Sequence, residues 1–120
     1  MSFLKLLLDE NVDDLFAREL LRLESDLVVW SVGAPGAPPK GTLDPELLAW
    51  CEERDFVLVT NNRKSMPVHL ASHIAAGRHI AGIILLNATL PIGKTIDELW
   101  LIATSGDASR FRDQISYLPI

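Results

Sequence analysis

Phe3-Leu4-Lys5-Leu6-Leu7-Leu8-Asp9-Glu10-Asn11 decides how this chain folds. An apolar run of strand length, residues 3–8, stops at two adjacent carboxylates, and Asn11 then opens a helical pattern. A run with no polar alternation is buried on both faces, the condition of a parallel sheet covered by helices. Open α/β sheets gather their ligands at the carboxyl ends of the strands, where Asp9 and Glu10 stand. A charge ending a buried strand is costly unless solvated or paired, so Asp9 reads as functional. Glu10 points away from Asp9 where the strand period persists.

The rest of the chain repeats the alternation of strand and helix. Asn11 is a good N-cap, with Asp13 and Asp14 in the first turn, and Val12, Leu15, Phe16, Leu20 and Leu23 recur at helical spacing. Asp26–Val32 reads as a second strand. Gly33–Thr42 is a Gly/Pro-rich loop. Asp44-Pro45-Glu46 then starts a second helix, with Asp44 as N-cap and Pro at the first helical position, and this helix runs to about Arg54. Phe56–Thr60 is a third strand and Asn61–Lys64 a polar turn. Ser65–Ala76 is a third helix stopped by Gly77. Ile80–Leu86 is a fourth strand, and Pro91 to about Thr104 a fourth helix. Gln114–Leu118 is either a fifth, edge strand or an extension of that helix. The expected fold is a three-layer α/β/α domain spanning residues 1–120, with a central, mainly parallel four- to five-stranded sheet and right-handed crossovers.

Composition narrows the function. The 120 residues are 48% hydrophobic and 22% charged, enough for one domain with a true core. A net charge of −5 and a pI near 5.0 argue against broad, non-specific nucleic-acid binding, which needs clustered Lys and Arg. The single cysteine, Cys51, cannot form an internal disulfide, and its apolar helical setting reads as buried packing; a reducing, cytoplasmic setting is expected. No run is long enough to span a membrane, and no signal peptide, repeat or low-complexity tract is read.

Four loops meet above the carboxyl ends of the strands. They bring Asp9, Asp44 and either Glu10 or Glu46 within reach of a divalent cation, for which Mg²⁺ and Mn²⁺ are the natural oxygen-seeking choices. Such ions activate water and stabilise charge on a phosphodiester. Capping alone accounts equally well for Asp44, and the helix dipole for Glu46. His69 and His73 have a zinc-compatible i,i+4 spacing but lack the Glu of the metalloprotease motif, and read as solvated or core-edge residues. Gly93-Lys94-Thr95 looks like the end of a P-loop, but Ala88 stands where the motif needs Gly. Arg63, Lys64, Arg78 and His79 offer a modest phosphate-contacting rim or ordinary solvated surface. Trp30, Trp50 and Trp100 read as core.

Leu6-Leu7-Leu8-Asp9-Glu10-Asn11 resembles the opening of a PIN-like family of small bacterial proteins, mostly of unassigned function, whose first strand ends in Leu-Asp-Glu-Asn. The resemblance continues through Leu43-Asp44-Pro45-Glu46-Leu47-Leu48, Phe56-Val57-Leu58-Val59-Thr60 and Gly82-Ile83-Ile84-Leu85-Leu86, nearly the whole chain. It implies the PIN fold and kinship with VapC-type nuclease toxins of toxin–antitoxin modules. The catalytic relatives are ribonucleases with three or four acids around Mg²⁺ or Mn²⁺. Asp9 matches the first acid and Asp44 that of the central helix. Where the family commonly reads Thr-x-Asp-x-Asp-Phe, this chain has Thr60-Asn61-Asn62-Arg63-Lys64-Ser65. Asn62 replaces one acid and Lys64 the next, and both changes weaken cation binding.

Two functions follow. The first is a metal-dependent endoribonuclease of weakened activity. Asp9 and Asp44 hold Mg²⁺ or Mn²⁺, Glu10 or Glu46 assists, and Asn62 orients water or the metal shell. The second is a catalytically degenerate PIN-like module that binds RNA or a protein partner, such as a cognate antitoxin-like protein, through Asn61, Asn62, Arg63 and Lys64. The resemblance also implies a homodimer.

Overall fold

A computed structural model of the chain describes residues 3–120. The elements are β1 (Lys5–Leu8), α1 (Leu15–Leu23), β2 (Val29–Ser31), α2 (Asp44–Arg54), β3 (Phe56–Thr60), α3 (Met66–Ala75), β4 (Ile83–Leu85), α4 (Ile92–Ser105) and β5 (Ile115–Tyr117), with a short 3₁₀ turn at Ala108–Arg110. The strands form one five-stranded sheet in the order β2-β1-β3-β4-β5, and every neighbouring pair is parallel. The three-layer α/β/α architecture is as expected. The open question at the C-terminus resolves in favour of an edge strand: α4 stops at Gly106, whose φ of 70° ends the helix in a left-handed turn.

The apolar runs account for the layers. All five residues of β3 are buried, and Leu6, Leu7 and Leu8 of β1 are fully so. On one face Leu6, Leu8, Val57, Val59 and Ile84 pack with Leu20 of α1 and with Ile96, Leu99, Ile102 and Ala103 of α4. On the other, Leu7, Phe56, Leu58 and Ile83 pack with Leu47, Leu48 and Cys51 of α2 and with Met66 and Leu70 of α3.

This division corrects one expectation. The chain crosses the sheet in one direction through α1 and in the other through α2, α3 and α4. Helices α2 and α3 lie on the face opposite α1, so the first three crossovers share one hand. Helix α4 lies on the α1 face, so β4–α4–β5 has the opposite hand, and the four crossovers cannot all be right-handed. Burial supplies the reason. With a uniform hand, the nine-residue α1 would cover its face of a five-stranded sheet alone. The fourteen-residue α4 fills that gap, and its C-terminal turn closes on the first strand where the Leu4 N–H donates to the Ala103 carbonyl at 2.9 Å.

Other differences are local. Helix α1 starts at Leu15 and not after Asn11, because Val12 N–H turns back to the Asp9 carbonyl and Asp13 Oδ1 takes the Leu15 N–H. Strand β2 is confined to Val29–Ser31. Strand β4 begins only at Ile83, since Ile80 bonds both ways with Asp113 and Gly82 turns the chain at φ 147°. Trp30 and Trp100 are not core. Trp30 lies on an edge strand and Trp100 on the outer side of α4, 39% and 36% exposed. Trp50 is half-buried and packs against Phe56. No helix among the described residues is long and apolar enough to cross a membrane.

Candidate functional site

The strand order reverses between β1 and β3, because β1 leads to β2 on one side and β3 leads to β4 on the other. Such a reversal leaves a crevice above the carboxyl ends of the two strands. Register fills it with chosen side chains. Leu8 pairs with Val59, so Asp9 and Thr60 emerge side by side. The Thr60 hydroxyl donates to Asp9 Oδ2 at 2.8 Å, and the Glu10 N–H donates to Asp9 Oδ1 at 2.8 Å. Both carboxylate oxygens of Asp9 are thus engaged.

The polar turn after β3 carries the chain of bonds onward. Asn62 N–H donates to Thr60 Oγ1 at 3.1 Å. Its side-chain oxygen accepts from Ser65 N–H at 3.1 Å, in the turn just ahead of α3. That donor fixes the orientation of the amide, and Nδ2 therefore faces Asp44 Oδ2 at 2.9 Å and Ser65 Oγ at 2.7 Å. His69 Nε2 approaches the same Asp44 oxygen at 3.5 Å. Asp44 does not cap its own helix; it is the first residue of α2 and its carboxylate reaches across to Asn62. Asn61 closes the other side by donating from Nδ2 to the Asn11 carbonyl at 3.2 Å.

Asp9, Glu10, Asp44, Asn61 and Asn62 accordingly border one pocket of about 350 Å³, together with Asn11, Thr42 and Thr60. Other expected residues lie elsewhere. Glu46 is exposed on the first turn of α2 and does not line the pocket. Arg63 leans toward the ends of β4 and β5, donating to the Leu86 carbonyl at 3.1 Å with its guanidinium 5.7 Å from the Tyr117 ring. Lys64 is exposed.

Arg78 and His79 precede β4, at the opposite end of the sheet, so the four-residue basic rim is not assembled. They belong to a separate polar network. Glu52 accepts from Arg78 Nε at 2.9 Å, from His73 Nε2 at 2.9 Å and from His79 N–H at 3.2 Å, while His79 Nδ1 pairs with Asp113 Oδ2 at 2.7 Å. The two histidines of α3 have different partners, His69 at the pocket and buried His73 in this network, so they form no shared zinc site.

Among the described residues, no group of three or more His, Cys, Asp or Glu side chains could hold a metal ion. The residues present do not fit a resident Mg²⁺ or Mn²⁺. An amide donor occupies the oxygen of Asp44 that a cation would need, and hydroxyl and N–H donors occupy those of Asp9. The expectation of a metal-dependent ribonuclease is corrected on this ground, and with it the Mg²⁺ or Mn²⁺ cofactor and the metal-binding and hydrolase classes. Asn62 bridges α2 and α3 and has no metal shell to orient.

Thr60, Ser65 and His69 were not legible as site residues, although two of them left a signal. Thr60 ends the strand beside Asp9, and Ser65 stands three residues after Asn62, the spacing of a cap. Cys51 is the inert thiol expected. Burial, reinforced by the charge of Asp9, pushes it up to about 12.

The fold and pocket define a doubly wound α/β protein with a polar, carboxylate-lined crevice at its switch point. No family model, curated protein or solved structure matches the chain.

Proposed function

We propose that this chain is a catalytically degenerate PIN-like module that works by binding, and that what it binds is a protein. The ordered motifs from Leu6-Leu7-Leu8-Asp9-Glu10-Asn11 to Gly82–Leu86 support the kinship. The single observation that carries the loss of chemistry is the Asn62 amide bonded between Asp44 and Ser65, where the family has an acid. Charge favours protein over RNA. The net charge is −5, three carboxylates face the pocket, and one of the two nearby cations, Arg63, is already bonded to a backbone carbonyl. Apolar surface agrees. Leu43 and Val68 are 65% and 64% exposed, one beside Asp44 and the other beside His69. A small antitoxin-like protein engaging Asn61, Asn62, Arg63 and Lys64 suits this surface, and the same reading includes a homodimer.

The test has two arms. Single-stranded RNA incubated with Mn²⁺ is expected to be cut no faster by wild type than by Asp9→Asn; Mn²⁺-dependent cleavage lost in the variant overturns the reading. A small protein co-encoded with this chain, identified from its gene neighbourhood, is then titrated by calorimetry into wild type, Lys64→Ala and Arg63→Ala/Lys64→Ala; the lack of any such co-encoded protein counts against the reading. Binding that weakens about tenfold in the double variant, the loss of one charged contact, supports the reading. Unchanged binding, or capture of RNA in its place, overturns it.

A further inference from the structure

The sheet has two edges, β5 and β2, and only one of them is closed. A parallel ladder turns the backbone groups of alternate residues of an edge strand outward. At β5 the Gln114 carbonyl takes the Ile83 N–H at 3.0 Å and the Leu118 N–H reaches the Leu85 carbonyl at 3.1 Å, so Ile115, Tyr117 and Pro119 are the outward residues. Pro119 has no N–H to offer, and Ile120 gives its own to Glu98 Oε1 at 2.8 Å. A further strand cannot extend along that edge.

The β2 edge carries no such guard. The Val28 carbonyl takes the Leu6 N–H and the Val32 N–H reaches the Leu8 carbonyl, both at 2.9 Å, so Val28, Trp30 and Val32 turn toward β1. Val29 and Ser31 turn outward. The Ser31 carbonyl accepts from the Ala34 N–H at 3.0 Å and keeps a second lone pair. The Ser31 N–H and both backbone groups of Val29 have no strand beside them. Neither proline nor a charged residue interrupts Val29–Ser31. Trp30, more than a third exposed, leans on Phe56 with ring centroids 5.2 Å apart, and a hollow of about 610 Å³ opens beside it, bordered by Val28, Gly36 and Phe56 among others.

We propose that the β2 edge joins two copies of this chain, antiparallel about a twofold axis at Trp30, into one ten-stranded sheet. The strand complements its own image. With Trp30 opposite Trp30, Val29 of one copy and Ser31 of the other form the hydrogen-bonded pairs, and the two Trp30 side chains meet at the closer, non-hydrogen-bonded position. Charge is complementary too. Antiparallel pairing sets the carboxyl end of one β2 beside the amino end of the other. Lys40, whose side chain lies along Gly33 just past β2, then meets Asp26 just before it. Both are exposed, and neither has an ion-pair partner among the described residues. The twofold makes this contact twice.

Head-to-tail stacking of β2 on the β5 edge of another copy, which would grow into an open fibre, is barred by Pro119. Strand β2 spans only about 10 Å, so the Trp30 side chains and the hollow beside them supply most of the buried surface. The dimer is expected to lie at the small end of stable interfaces and to dissociate on dilution. In it the carboxyl ends of the two sheets point opposite ways, so both pockets stay open and the binding test above is read apart from this one.

Sedimentation velocity over a concentration series tests the edge. The wild type is expected to pass from monomer to dimer as concentration rises. Ser31→Pro removes one outward N–H, spares the ladder to β1 and is expected to stay monomeric. Lys40→Glu is expected to weaken the dimer about tenfold, since it turns two exposed attractions into repulsions, and Asp26→Lys/Lys40→Glu to restore it. Leu101→Glu, on the exposed side of α4, is the control and is expected to change nothing. A wild type that stays monomeric to about 1 mM overturns the proposal. So does a dimer that survives Ser31→Pro, a double variant no tighter than Lys40→Glu, or a dimer lost in Leu101→Glu. If Ser31→Pro does not fold, the charge reversal and its rescue decide the matter alone.

Discussion

Asn62 shows how little chemistry separates an amide-bridged pocket from a metal centre. Its amide nitrogen donates to Asp44 Oδ2 and Ser65 Oγ, two bonds a carboxylate could not make, while its oxygen accepts from the Ser65 N–H as a carboxylate also would. Asn62→Asp is expected to destabilise the fold by about 1–3 kcal/mol, since it sets a carboxylate against Asp44 and removes two donated bonds; Asn62→Ala is expected to lose less. Urea denaturation of the pair checks the order, and an Asp variant as stable as wild type would mean that Asp44 does not rely on the amide. Thr60→Val is the cleanest probe of the other end. Thr60 is 1% exposed, and the change keeps its shape while leaving Asp9 Oδ2 and Asn62 N–H without their partner. A loss of about 1–3 kcal/mol is expected, read as a lower urea midpoint at constant slope. The acids at this site were legible because Asp9 interrupts an apolar run. The role of Asn62 was not, because an asparagine in a polar turn looks the same whether it solvates the turn or ties two helices together.

At the level of elements, periodicity revealed which stretches pair and pack but not on which side of the sheet they do so. Ile96, Leu99, Ile102 and Ala103 announce a buried helix face, yet the same stripe suits either face of a sheet that is apolar on both. The hand of the last crossover was therefore settled by which face still needed covering. Leu99→Ala is expected to cost about 2–5 kcal/mol, as in a filled core, and a loss below 1 kcal/mol would show that α4 only skirts the sheet. The turn into β4 was equally hidden. A Cβ at Gly82 would sit 2.7 Å from the Phe111 carbonyl oxygen, at a φ that L-residues avoid. Gly82→Ala is expected to lose about 2 kcal/mol or more, by thermal melting, with the damage concentrated in β4 and β5.

For the molecule as a whole, the network around Glu52 contributes to the loss of stability in acid. The His79 backbone N–H, with Arg78 and His73, outweighs partial burial and holds the Glu52 carboxyl below its ordinary value. Burial pushes Asp113 up, but the Ile80 N–H, His79 and Arg112 together bring it below its own. A depressed carboxylate contributes stability that is complete above its unfolded value, 4.5 for Glu52 and 3.8 for Asp113, and lost as pH falls through its folded value. Urea midpoints are expected to drop below about pH 4.5, less steeply in Glu52→Gln than in wild type; parallel curves would remove Glu52 as the cause. The contact between Leu4 and Ala103 has a consequence of another kind. Strand β1 is made well before α4, and the sheet face that carries Leu6, Leu8, Val57 and Val59 has only α1 to cover it until the chain has been made through α4. A nascent chain ending near residue 90 would lack Ile96, Leu99, Ile102 and Ala103, and so leave that face only partly covered, by α1. It is therefore the half-made protein, more than the finished one, that depends on chaperones, and truncations that spare every residue of the pocket but remove α4 are expected to aggregate when expressed.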